Sequence, residues 1–175
     1  MYNQKLSVII GSMERVDELL AKGLAAGYAG KIKPVEANRG PFVGKQVIYL
    51  LGDHDGGTYS DEWYASANGG GQEIAKTNGD TATRLYAGGI INPEKLAELG
   101  ITEEEIMAYH KNKLTELGSR TRLQENCIPE PDGKLQYDYE VLEHLEELGL
   151  TIGLESITYD GNLVFAHGFL KSPIK

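Results

Sequence analysis

Two glutamates and a histidine have the residue types and placement to do chemistry. Glu73 follows Gly71-Gln72 and Glu155 follows Gly153-Leu154, and each leads to a turn glycine, Gly79 or Gly161, eight residues after the first glycine. Equivalent carboxylates brought to one cleft can act as general acid and base or hold a cation. His167 stands between Ala166 and Gly168, where a glycine lets another backbone or a ligand approach, and imidazole titrates near neutrality. Plainer readings stand beside these. Either glutamate could be a solvated strand residue or could cap backbone N–H groups, and a lone histidine is more often structural than reactive.

The elements that must position these residues are two glycine-bounded hairpins. In the first, strands Gln72–Thr77 and Thr83–Ala87 flank Asn78-Gly79, a pair suited to a type I′ turn because that turn needs positive φ at both centres. The second turns at Asp160-Gly161 between GLESITY and NLVFAHGFL. On the return strands, Tyr86 to Ile90 aligns with Phe165 to Phe169. The expectation is an internal duplication: two pseudo-symmetric halves, about residues 31–91 and 132–175, joined by a helical segment 92–118 and a loop within one domain spanning 1–175. A two-residue turn at Asp160-Gly161 places Glu155 opposite Ala166, Leu154 opposite His167 and Phe165 opposite Ser156. Neither face of that hairpin is clearly polar, so both are expected to be at least partly covered.

The remaining chain is read from periodicity and punctuation. Val16, Leu19, Leu20 and Leu24 form one helical stripe, with Ser12 as cap and Gly27 and Gly30 as the end. Lys31–Gly44 reads as an extended loop, Lys45–Leu51 as a strand, Gly52–Thr58 as a turn and Tyr59–Ala67 as a further strand. Asn92-Pro93 opens a helix that Gly100 stops, and Thr102 with Glu105 forms a capping box for a helix running to Leu117, with Ile106, Tyr109, Leu114 and Leu117 facing inward. Ser119–Lys134 is irregular, Leu135–Tyr139 a short strand, and Val141, Leu142, Leu145 and Leu148 give a last helix ended by Gly149. Strands cluster rather than alternate with helices, which predicts an α+β fold with a mainly antiparallel sheet and helices packed on it.

Composition narrows the function classes. The 175 residues suffice for one cored domain, and the 22 glycines point to tight turns rather than a helical bundle. A net charge of −9 disfavours nucleic acid and anionic membrane surfaces as partners. One cysteine, Cys127, cannot form an internal disulfide, and no stretch is long and apolar enough to span a bilayer, so a cytoplasmic location is expected.

The set Gly71-Gln72-Glu73, Gly79, Tyr86 to Gly89, Asn92-Pro93 and Gly161 to Leu170 resembles a bacterial domain family of unknown function, found alone or attached to a helix-turn-helix regulator. The resemblance spans most of the chain from Gly27 onward and implies no reaction, cofactor or catalytic residue.

Other candidates read as structural. Asp53-His54-Asp55 with Asp61 has turn composition, and no HxxxH, HExxH or CxxC pattern supports a metal. His110 and His144 read as solvated helix residues, and Cys127 lacks a neighbouring base. Gly69–Gly71 precedes a strand and lacks the Lys-Ser/Thr of a phosphate loop. The first function expected is therefore a small-molecule-binding or sensing module, with a pocket between the hairpins walled by Trp63, Tyr86 and Phe165 and given polarity by Glu73, Glu155 and His167. The second is a hydrolase or isomerase using Glu73 or Glu155 as base and His167 as acid. The third is an interaction domain pairing through hairpin edges with a partner or a second copy. No cofactor or metal is expected.

Overall fold

The computed structural model describes residues 15–51, 56–64 and 68–174. The expected Ser12 cap, the Asp53-His54-Asp55 cluster and the end of the strand to Ala67 lie outside the described residues. Eight antiparallel strands form one sheet: β1 (Val35–Arg39), β2 (Phe42–Leu51), β3 (Gly57–Tyr64), β4 (Asn68–Lys76), β5 (Thr81–Ile90), β6 (Leu135–Leu145), β7 (Leu150–Tyr159) and β8 (Asn162–Ile174). Their order is β1-β2-β3-β4-β5-β8-β7-β6. Chain neighbours pair throughout, except at the centre, where β5 meets β8 and joins a five-stranded meander to a three-stranded one.

Three described helices pack on this sheet: α1 (residues 15–26), α2 (Pro93–Leu99) and α3 (Glu103–Leu117). The α1 stripe Val16, Leu19, Leu20 and Leu24 is buried against Val47, Tyr59, Ala75 and Ala82 of β2 to β5. Lys171 of β8 adds a buried ion pair to Asp17 of α1. On the other half, Leu96, Ile106, Tyr109 and Leu117 pack with Tyr137, Ile157, Val164 and Phe169. The local signals behind α2 and α3 operate as their chemistry requires. Asn92 accepts from Glu94 N–H at 2.7 Å, and Thr102 and Glu105 close a reciprocal capping box.

All of the sheet residues in these two cores share one face. On the opposite face Ile48, Leu50, Leu85, Leu154, Leu163 and Leu170 remain partly or largely exposed, so the last hairpin is buried on the helix side and only partly covered on the other.

Three expectations change. Lys31–Gly44 is not a loop throughout: it contains β1, which pairs with the start of β2 from Val35↔Gln46 to Arg39↔Phe42. The expected helix from Val141 to Leu148 is the end of β6 and a turn, because β6 continues pairing with β7 as far as Leu145↔Leu150. Leu142, Leu145 and Leu148 are exposed, so their helix-like spacing does not mark a buried stripe, and ladder hydrogen bonds decide the local structure.

The third change is one of register. Asp160 and Gly161 have φ of 52° and 78°, the left-handed pair of a type I′ turn. The pairing begins at Tyr159↔Asn162 and Thr158↔Leu163, then shifts to Ile157↔Phe165, leaving Val164 as an extra residue. Glu155 therefore faces His167 rather than Ala166. The first hairpin does turn at Asn78-Gly79, with Lys76↔Thr81 next to it, but neither central residue has positive φ, so the turn is not type I′.

Candidate functional site

The two glutamates are the centres of two buried polar clusters on the helix-covered face. Glu73 of β4 pairs directly opposite Arg84 of β5. Arg84 grips the carboxylate with two nitrogens, Nη2 donating to Oε1 at 2.7 Å and Nε to Oε2, while the Tyr59 hydroxyl donates to Oε1 at 2.7 Å. Burial alone would raise the Glu73 pKa; the Arg84 guanidinium outweighs it and holds the carboxyl below its ordinary range.

Glu155 of β7 is similarly held, but its cation comes from outside the sheet. Arg122, just after α3, donates Nε to Oε1 at 2.8 Å and Nη2 to Oε2 at 2.6 Å. Tyr137 of β6 donates to Oε1 at 2.6 Å, and Thr121 and Tyr137 share a hydrogen bond at 2.5 Å. His110 of α3 brings Nε2 to 2.9 Å from both Glu155 Oε2 and Arg122 Nη2. Burial works against the Glu155 charge, and Arg122 followed by His110 overcomes it, so the carboxyl lies well below its usual range. The clusters touch: Arg84 Nη1 donates to the Arg122 carbonyl at 3.0 Å.

The two clusters have the same local register. Tyr59 lies opposite Ala75, two residues beyond Glu73, and Tyr137 lies opposite Ile157, two residues beyond Glu155. Gly71 and Gly153 sit two residues before the glutamates, and at each a tyrosine occupies the space of the missing side chain. A Cβ at Gly71 would lie 2.5 Å from the Tyr86 hydroxyl, and one at Gly153 would lie 2.4 Å from the Tyr139 hydroxyl.

Over the first cluster lies a cavity of about 330 Å³ between the sheet, the end of α1 and α3. Five of the six sequence-expected ligand residues line it: Trp63, Glu73, Tyr86, Phe165 and His167. Glu155 does not; it lies behind Arg122, His110 and His167, which do. Tyr28, after α1, closes one side, its ring 6.3 Å from Trp63 in an edge-to-face arrangement. Phe165 stacks between His110 and His167 at 4.5 Å from each.

Asp61 of β3 completes the wall. Its residue is 1% exposed, and its carboxylate accepts from the Tyr86 hydroxyl at 2.9 Å. It has no guanidinium among its hydrogen-bond partners, since Arg84 and Arg122 are engaged by the two glutamates. Burial, with Glu73 nearby, pushes its pKa up to about 7 against the pull of Tyr86. Among the described residues, His167 Nδ1 is buried without a hydrogen-bond partner and stops 3.8 Å from Glu155 Oε2. Burial lowers the His167 pKa to about 4, so the ring is neutral.

Four ionisable residues of these clusters have no binding or catalytic role in the sequence reading, where Asp61 is grouped with the Asp53-His54-Asp55 turn. Arg84 was recoverable, because a two-residue turn at Asn78-Gly79 sets it opposite Glu73. His110 is fully buried rather than solvated; it lies four residues from both Ile106 and Leu114, on the stripe already assigned to the core. Asp61 follows Tyr59 by two residues and so shares its face. Arg122 carries no such signal, being in an irregular segment at φ 60°. His144 stands on β6, not a helix, with Nδ1 2.9 Å from the Thr151 hydroxyl.

Among the described residues no three His, Cys, Asp or Glu side chains converge as a metal site, and no helix is long and apolar enough to cross a membrane. Comparison with protein-family models, with curated proteins and with solved structures gave no match to this chain.

Proposed function

We propose that the chain is a small-molecule-binding module and that the cavity bounded by Trp63, Tyr86, Phe165, Asp61 and His167 is its binding site. The observation that carries this reading is the composition of that wall: aromatic faces with a few convergent polar groups, two of them incompletely partnered. A volume of about 330 Å³ suits a ligand of one or two rings. The alternative of catalysis by Glu73 or Glu155 has less support. A general base works best with a pKa near the operating pH, whereas both carboxylates are clamped by arginine and held low.

The repeated-hairpin reading is part of the same proposal. The shared Tyr–Glu register and the paired glycines support two related halves, with Tyr86↔Phe169 at the centre of the β5–β8 seam. Pairing with a partner through the two hairpins has less support, because β4-β5 and β7-β8 are flanked on both sides; among the described residues the outermost strands are β1 and β6, and Cys127 already pairs with Tyr139 of β6.

The test uses Trp63, the single tryptophan. A metabolite library is screened by Trp63 emission and by melting temperature. A true ligand at a hundred times its Kd adds about 2.7 kcal/mol of stability, and Tyr86→Ala retains the fold and loses the response. A screen without such a compound, or a response unchanged in Tyr86→Ala, overturns the reading.

A further inference from the structure

We infer that the cavity ligand is a small organic cation, an aromatic or alicyclic amine or amidine, whose charged nitrogen pairs with Asp61 while its body lies among Tyr28, Trp63 and Tyr86. This rests on the binding-site reading above and names the class of ligand.

The buried polar layer around the cavity holds one more acid than guanidinium. Glu73, Glu155 and Asp61 are three buried acids, and Arg84 and Arg122 are the two buried guanidiniums beside them. Each guanidinium is committed by two nitrogens to one glutamate. Among the described residues, Asp61 has the Tyr86 hydroxyl alone. A buried carboxylate without a cation is costly, so Asp61 must take a proton or receive a positive ligand.

The other groups around Asp61 do not supply that charge. From β4 it faces Glu73, from β5 Tyr86 and Arg84, and from the segment after α3 Arg122; Tyr28 and neutral His167 close the cavity. Of the two lysines on the wall, Lys111 is held over the Tyr28 ring at 5.2 Å, and Lys45 of β2 is solvent-exposed and, among the described residues, makes no ion pair with Asp61. An anion entering here would meet Asp61 and Glu73 at the floor. A cation would meet one free carboxylate and the faces of Tyr28, Trp63 and Tyr86, which attract positive charge through their quadrupoles.

Ionisation of Asp61 then couples to binding. The cation requires the carboxylate, so binding expels the proton, and affinity falls toward tenfold per pH unit below pH 7 and levels off above pH 8.

The experiment titrates three size-matched probes, benzylammonium, benzyl alcohol and benzoate, against the full chain from pH 5 to 8, reading Trp63 emission and calorimetric heat. The expected result is at least a tenfold preference for benzylammonium at pH 8, lost at pH 5 and lost in Asp61→Asn. Tyr86→Phe keeps Asp61 but removes the bond that favours its ionised form, so its pH midpoint moves upward. Equal or tighter binding of benzyl alcohol or benzoate overturns the cation assignment and leaves the binding site standing. An unshifted midpoint in folded Tyr86→Phe overturns the role of Asp61. Absence of any response to all three probes, at millimolar concentration, overturns the proposal, and the library screen then decides the binding site separately.

Discussion

Glu155 and His167 face each other across β7 and β8, yet the imidazole Nδ1 stays 3.8 Å from a carboxylate oxygen that Arg122 and His110 already occupy. His167 is thereby held next to an acid without being charged by it. Its folded pKa of about 4 lies below the ordinary value of 6.5, so between pH 6.5 and 4 the unfolded chain binds the extra proton and stability falls as pH falls. His110, lowered by burial, adds to the same loss. His167→Gln should flatten this acid limb in melting temperatures measured from pH 7 to 4; an unchanged slope would show that His167 does not contribute.

Asp61 has the opposite sign. Its carboxyl is raised from 3.8 to about 7, so the folded state holds the proton more tightly and stability falls as pH rises through that window. Asp61→Asn should therefore stabilise the ligand-free protein at pH 8, by about 1–3 kcal/mol, with little change at pH 4. Urea unfolding at the two pH values measures this, and destabilisation at pH 8 would contradict it.

Arg84 partners a glutamate that is fully buried. Arg84→Met leaves that carboxylate with the Tyr59 hydroxyl alone and should cost about 3–5 kcal/mol in denaturant unfolding. Because Arg84 also donates to the Arg122 carbonyl, its loss and that of Glu155 in Glu155→Gln should be non-additive in a double-mutant cycle. Additive losses would mean that the two clusters are energetically separate.

Gly71 and Gly153 occupy matching places, but only Tyr86 of the two displaced tyrosines lines the cavity. Gly153→Ala should cost roughly 1–3 kcal/mol through overpacking against Tyr139 and leave ligand binding intact. Gly71→Ala should cost more, because its Cβ would also lie 2.5 Å from the Glu62 backbone carbonyl, and should weaken binding as well, since Tyr86 must move. Equal effects of the two variants on ligand titrations would refute the distinction.

What was legible in the sequence is what short-range chemistry controls. The Thr102–Glu105 capping box, Asn92-Pro93, and the turns at Asn78-Gly79 and Asp160-Gly161 act within a few residues of themselves, and the structure has each of them at its expected position. The segment from Val141 to Leu148 has helical spacing but ladder partners on β7 that local pattern cannot reveal. Glu73, Tyr86, Phe165 and His167 follow from the hairpin outline and Trp63 from the strand before it, and all five line one cavity. Arg122 reaches Glu155 from 33 residues away, through a segment without periodicity, so the second cluster could not be completed from sequence.

The extra residue at Val164 decides which side chains the last hairpin presents to its core face. Surface turns ordinarily accept insertions and deletions, and the tip at Asp160-Gly161 lies in a place where such changes are common. Between that tip and His167, however, residues are counted in odd and even steps. Removing Val164 would leave an unbroken ladder that still sets Phe165 opposite Ile157 and His167 opposite Glu155, whereas pairing Val164 with Ile157 would turn His167 and Phe165 toward the other face and bring Ala166 opposite Glu155. Drift among related chains should therefore tolerate loss of one residue here together with the bulge, whereas an added residue without a second bulge would turn Phe165 and His167 away from the core face.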